Sequence, residues 1–510
     1  MAIGGIGGLT LSGLTAISGA RPVSALDVFA QGTPGAGINM VDELVIDLPI
    51  EPPSLDPAIV YDVDSWSVVH SIYDSLVQYG PTGELEMLLA ESLSNPDPRT
   101  LEIKLRPGIS FHNGEPLDAK AVAFSVKRLV DPKIAPTVSQ TFRVIEEVKE
   151  VDPLTAQLKL SAPAPWLPSQ IAAWLVIVPS AYSAGNDIGQ KPVGTGPFRF
   201  LEWQSGDHIT LEANSDYFAA SPKGQPIARR VTFRFVPEAS TRVSDLLAGT
   251  AQLVRTIPDL AGSVTDGGGR VIPNEIAGSA WIRIANDVAP FSDVRVRQAL
   301  NYAVDVDAVI DALLGGHGTR LASFFMKESL GYDPNLKPYP HDVDKAKSLL
   351  AEAGYPDGLS TTLEHTTDEN ADVISAIAGQ LAEAGIKVEL QPREKATFNG
   401  TWKDKKAAPL RFSTWKPLFD PFTLLSLVVS NKGYLSRYDD PKAQALIDAG
   451  AIETDSSKRG ETYRQLGQVL HDDPAAIYLY SLTSLYAESK DVPEWTQRPD
   501  DYIIPAKRNG

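Results

Sequence analysis

The junction between residues 373 and 390 constrains this chain more than any other feature of its sequence. Val373, Ile374, Ile377, Leu381 and Ala384 recur at helical spacing, and Gly385 stops the helix. Ile386, Val388 and Leu390 then open a strand of period two at once. A helix that turns straight into a strand must lay its apolar stripe on the sheet that the strand joins. The expected class is therefore α/β. The same grammar recurs along the chain. Glu43 to Leu48, Leu101 to Leu105, Ala156 to Leu160, His208 to Glu212 and Val231 to Phe235 read as short strands. Asp118 caps an expected helix with Ala119, Val122, Val126 and Leu129 on its apolar face. Asp293 caps a longer one running through Val304, with Gly315 and Gly316 beyond it, and Asp342 to Ala353 ends at Gly354. There is no internal repeat.

Composition removes whole classes of function. The chain has 510 residues, enough for three or so folding units at roughly 150 residues each. Its net charge of −18 repels phosphate backbones and anionic lipid, so no nucleic-acid partner is expected. With no Cys it has no disulfide, no thiol nucleophile, no Cys-ligated metal and no cysteine-linked lipid anchor. Ile3 to Ile17 is Gly- and Leu-rich, uncharged and too short to span a bilayer. Small residues follow at Val23-Ser24-Ala25 and Val28-Phe29-Ala30. Residues 1–30 thus read as a signal peptide or disordered N-terminus of an exported, soluble protein, with the folded chain beginning near Asn39. The stretch has no Lys or Arg before Arg21, so the expected translation start lies upstream.

Catalytic signatures are missing. No phosphate loop, G-x-S-x-G elbow or H-E-x-x-H occurs. The seven His, at 70, 112, 208, 317, 341, 365 and 471, form no i, i+4 pair. No catalytic residue, metal site or cofactor is expected.

A series of blocks stands in their place. Ser54-Leu55-Asp56-Pro57-Ala58 precedes Ile72-Tyr73-Asp74-Ser75-Leu76-Val77 and Leu89-Ala90-Glu91-Ser92. Leu105 to Gly114 contains Phe111-His112-Asn113-Gly114, and Pro192 to Phe198 contains Gly194-Thr195-Gly196. Asn214 to Phe218, Asp293 to Ala303, Asp344 to Lys347 and Leu350 to Pro356 complete the set. Each also has a scaffold reading: glycines for tight loops, and for the Asp293 block an N-capped helix with basic residues outward. Together, from about residue 43 to 490, they resemble the peptide/nickel family, family 5, of extracytoplasmic solute-binding proteins of ABC importers.

The resemblance implies a two-lobed periplasmic-binding-protein fold of type II, in the large cluster with an extra subdomain. Lobe I would comprise residues 39–281 plus 487–510, with an insertion subdomain at 80–192; lobe II would be 286–482. The chain would cross near Ile282 to Asn286 and near Ser484 to Glu488. It further implies a periplasmic monomer that closes on a small solute by hinge motion and delivers it to permease subunits in the inner membrane. An enzyme or chaperone on the same fold is the distant alternative.

The resemblance also points to a site. Ser413 to Pro421 would line the cleft, with Trp415, Phe419 and Asp420 as contacts. In peptide binders of the family, the third residue after this Trp is an Asp that pairs with the peptide ammonium; here it is Leu418. Nickel-binding members have Thr-Trp, three residues, then an aromatic before Asp-Pro, as Thr414-Trp415 and Phe419-Asp420-Pro421 do. Their metallophore-binding Arg has no counterpart in Gln170 to Leu175, where Trp174 offers a stacking face instead. The expected ligand is an opine, glycoside or similar amphipathic solute, with a di- or oligopeptide or nickel chelate as the alternative. Tyr61 and Trp66 follow the first strand and would face the cleft or pack inside. Arg393 would hold an anionic group or face solvent. Arg283, on one strand face with Trp281, would reach the cleft or an inter-lobe carboxylate. Tyr480 shares a strand face with Tyr478.

Overall fold

The computed structural model of the chain describes residues 40–135, 138–402, 407–416 and 419–508. The expected signal peptide and Leu418 lie outside them. Ten strands form one sheet in the spatial order Ile386–Arg393, Leu359–Thr366, Leu410–Trp415, Arg270–Ile284, Ala476–Glu488, Leu253–Thr256, Val41–Leu48, Ala228–Phe235, His208–Ala213, Phe198–Gln204. Its centre is two long antiparallel strands, Arg270–Ile284 and Ala476–Glu488. Over Arg270–Glu275 the first pairs regularly with Thr483–Glu488. After that step the register shifts, at Glu275/Ser279 and again at Ser279/Trp281. Beyond the shift the same strand pairs with Leu410–Trp415 from Ser279 to Ile284. The second long strand pairs with Leu253–Thr256 over Leu485–Glu488. The two strands therefore run through two differently paired halves of the sheet, and the irregular step at 275–281 is where one half gives way to the other.

Separate cores lie under the two halves. Leu44, Ile46, Val68, Ile209, Phe233 and Ile503 belong to one, and Ile282, Leu300, Leu363, Ile377, Ile386 and Phe412 to the other. A four-stranded sheet built from Ala90–Asp97, Thr100–Leu105, Thr155–Leu160 and Ile145–Asp152 stands apart, with the helix Ala119–Val130 against it.

Local rules place most of these elements. The side chains of Asp118, Asp293 and Asp342 accept from backbone N–H groups at the helix starts expected of them. Gly385, at φ 87°, ends the helix Ala371–Glu383 and delivers the chain into Ile386–Arg393. Two expectations fail. The helix from Asp293 stops at Tyr302, because Asp305 caps a second helix, Val306–Leu313. Nor do all its basic residues face outward. Arg297 is buried, with Nε donating to Pro474 O and Nη1 to Phe291 O. Asn301 beside it donates to Ala476 O and accepts from Tyr478 N. These side chains tie the helix to the second long strand.

The other sequence blocks also serve the scaffold. A Cβ on Gly194 would stand 2.1 Å from Ile72 O, so only glycine lets the two backbones meet. His112 bridges the same loop: Nε2 donates to Gly196 O at 3.0 Å, and Nδ1 accepts from Gly194 N at 3.3 Å. Protonation would destroy that acceptor. Burial lowers the His112 pKa to about 4, and burial with Lys223 nearby holds His70 well below the usual value. The unfolded chain therefore takes up protons below about pH 6.5 that the fold refuses. Stability should be full above pH 6.5 and fall between pH 6.5 and 4, by about 3 kcal/mol for His112 alone. Urea titrations at pH 7.5 and 4.5 check this; equal stabilities at the two pH values would refute it.

Candidate ligand-binding cleft

Asp62 caps the helix Val63–Ile72, and the first turn of that helix fixes an aromatic cluster. The Tyr61 and Trp174 ring centroids lie 6.4 Å apart. Those of Trp66 and Trp174 lie 5.9 Å apart at an interplanar angle of 77°. Tyr502 stacks on both Trp66 and His70. Tyr61 and Trp174 are half-buried, whereas Trp66 is buried and its Nε1 has no partner. The structure thus brings Trp174 against Tyr61 and Trp66, more than 100 positions earlier in the chain.

Trp415 is tied to the same neighbourhood through a chain of charges. It is half-buried at the end of its strand, opposite Ser279. The next residue, Lys416, reaches Asp501 at 2.8 Å. Asp501 also takes Arg255 Nη1 at 2.8 Å, and Arg255 Nε meets Asp64 at 2.7 Å. Despite its burial, Asp501 is held well below the usual carboxylate range by Arg255 and Lys416. The adjacent residue, Tyr502, is the ring that covers Trp66.

Glu369 is a candidate that the sequence reading did not name. It sits half-buried on the turn after Leu359–Thr366 and accepts from Thr414 Oγ1 at 3.1 Å. Burial raises its pKa. The neighbouring ammonium groups are engaged elsewhere, Lys395 by Asp368 and Lys416 by Asp501. Tyr480, buried on the second long strand, lies close enough to feel the Glu369 charge, which with burial raises its own pKa. Nothing in the local pattern Thr367-Asp368-Glu369-Asn370 separates this acid from an ordinary turn acid; only the fold places it beside Thr414.

The remaining expected residues go elsewhere. Asp420 is spent inside the protein: Arg459 Nη2 donates to its Oδ1 at 2.9 Å and Nη1 to its Oδ2, and Phe422 N donates to Oδ1. Arg459 already neutralises this buried carboxylate. Phe419 is buried on Tyr79, with centroids 4.0 Å apart. Arg283 is buried, and among the described residues no carboxylate lies within ion-pair distance of it. It pairs in register with Arg411, four residues from the Ser279–Trp415 pair and about 13 Å along the strand. Arg393 is 44% exposed and lies 3.4 Å from Glu364. A cavity of about 110 Å³ meets the long strands at Glu275, Ile276 and Ser481; its walls include none of these nine residues.

The sequence profile of the bacterial extracellular solute-binding proteins, family 5 Middle, matches residues 84–436. The chain belongs to this family. Family 5 proteins bind solutes for ABC importers and are not enzymes. The glutathione-binding protein GsiB of Pectobacterium atrosepticum is 28% identical over 466 residues, spanning 88% of this chain and 90% of that protein. The periplasmic binding protein DppA of Helicobacter pylori, solved with the peptide STSA, is similar with a TM-score of 0.77 at 25% identity, covering 92% and 98% of the two chains. AgaA of A. tumefaciens R10, solved with agropinic acid, has a TM-score of 0.76 at 27% identity, covering 91% and 96%. The fold is the two-lobed type II arrangement of periplasmic binding proteins. Among the described residues no helix is long and apolar enough to cross a membrane.

Proposed function

We propose that this chain is a monomeric periplasmic receptor that captures a small amphipathic solute between two lobes and delivers it to the permease of an inner-membrane ABC importer. Lobe I comprises 39–281 plus 487–510, carrying the 80–192 subdomain, and lobe II comprises 286–482. On that division Lys416–Asp501, Tyr79 against Phe419, and Trp166 stacked 4.0 Å from Phe422 all bridge the lobes. Such contacts suit a closed state, the form a permease would read.

The observation that carries the ligand reading is the pairing of an aromatic wall with one uncommitted acid. Tyr61, Trp174 and Trp415 offer half-buried ring faces, and Glu369 has only a hydroxyl partner among the described residues. Rings with few polar groups suit opines, glycosides and similar solutes. Glu369 selects among these for solutes with a cationic nitrogen. It also supports the second reading, a peptide, because an acid after Leu359–Thr366 can replace the Asp that position 418 lacks.

A thermal-shift screen of the chain from Asn39 tests the reading. One arm holds pooled di- to pentapeptides; the other holds opines, small glycosides and metal chelates. A ligand at about 100 times its Kd adds about 2.7 kcal/mol. Stabilisation by opines or glycosides alone is expected. Stabilisation by peptides alone would replace the first reading with the second, and by chelates alone would make the chain a metallophore receptor.

A further inference from the structure

We propose that Arg283 and Arg411 hold a small monovalent anion, a halide or formate-sized carboxylate, beneath the ring of Trp402. The site lies at the far end of the strand pair from Trp415, so it is distinct from the solute cleft.

The two arginines are register partners on adjacent strands, 2% and 0% exposed. Arg283 spends one of its five N–H donors on Ala408 O, at 3.1 Å from Nη2; its Nε and Nη1 have no partner. Arg411 Nη2 donates to Phe398 O at 2.7 Å and Thr401 Oγ1 at 3.2 Å, and its Nη1 has no partner. Its Nε lies 3.3 Å from Glu364 Oε2 without forming a directed hydrogen bond. Aromatic rings close the site. The Arg411 guanidinium carbon is 3.9 Å from the Phe398 centroid and 4.4 Å from that of Trp402, and that of Arg283 is 5.5 Å from Trp402.

The charges do not balance. Glu364 is the carboxylate beside Arg411, and Arg393 also draws on it. Asp287, the nearest other acid to influence Arg283, is paired with Arg437. Among the described residues no carboxylate lies within ion-pair distance of Arg283. Burying an ion is costly, and ring faces return only part of that cost. Burial and the Arg411 charge push Arg283 down to about 9. Arginine nevertheless keeps its proton in proteins, so the shift registers missing negative charge rather than a neutral side chain. Among the described residues, two enclosed cations against one enclosed carboxylate leave a single positive charge, which one monovalent anion cancels. The unpartnered Nη1 groups of Arg283 and Arg411 supply one donor from each guanidinium to such an ion.

The test compares melting of the chain from Asn39 in sodium chloride, bromide, formate and gluconate at equal ionic strength. Chloride, bromide and formate should give a saturable rise of about 1–3 °C over gluconate, which is too large to enter. Arg283→Gln should abolish the difference, and Arg464→Gln, at an exposed arginine, should keep it. Should Arg283→Gln fail to fold, bromide anomalous scattering from wild-type crystals decides, with a peak expected between the two guanidinium groups. Melting that ignores the anion, or bromide found only elsewhere, overturns the proposal.

Discussion

Replacing Asp74 by alanine should remove about 3–5 kcal/mol of folding stability. Asp74 is fully buried and forms an ion pair with Lys223, whose side chain is 1% exposed. It also accepts from Thr195 Oγ1 at 3.0 Å and from Tyr217 OH at 3.2 Å. Lys223 Nζ donates onward to His70 O and Tyr73 O, so one amine gathers the end of the helix Val63–Ile72. Burial already lowers the Lys223 pKa against the pull of Asp74. Removing the carboxylate would leave that ammonium enclosed without a counter-charge and take away the Thr195 Oγ1 acceptor, while Tyr217 OH keeps Ser221 Oγ at 2.7 Å. Urea denaturation measures the loss. The double variant Asp74→Ala/Lys223→Met should recover a large part of it, because no unpaired charge remains. A single-variant loss below about 1 kcal/mol would mean that water reaches the pair.

The second large effect falls on binding. Glu369→Gln should weaken the affinity for a solute bearing a cationic nitrogen by about 30-fold or more, with little change in melting temperature. The amide keeps an oxygen for Thr414 Oγ1 and removes only the charge. Losing one member of a desolvated charge pair costs about 2–5 kcal/mol of binding. Uncharged analogues of the same solute should bind the variant as well as the wild type. Because burial raises the Glu369 pKa, binding of the cationic solute should also decline on mild acidification, before an exposed glutamate would titrate. Equal affinities in calorimetry for Glu369→Gln and wild type would remove Glu369 from the site. Loss of affinity on Trp415→Ala alone would then keep the aromatic wall without the acid.

Several elements were legible because their causes are local. Asp118, Asp293 and Asp342 cap helices through their own side chains, and Gly385 takes a left-handed turn that other residues resist. Asp305 shows where such reading overreaches: apolar periodicity carries smoothly past it, yet its side chain starts a new helix. Polar side chains were harder still. Arg297 has the sequence signature of an exposed helix face and lies buried against Pro474 O and Phe291 O. Asp420 was expected at a cleft and is consumed by Arg459, 39 residues further on.

The α/β class, the family and the positions of several helices and strands were legible in the sequence. Each of these follows from spacing within a few residues, or from blocks in a fixed order. The tertiary structure alone decided which charges are free and which are spent. Tyr61, Trp66 and Trp174 share a wall, Glu369 meets Thr414, and Arg283 faces Arg411 across more than a hundred residues of chain. The worth of a charge depends on its burial and its partner, and both are set by contacts distant in sequence.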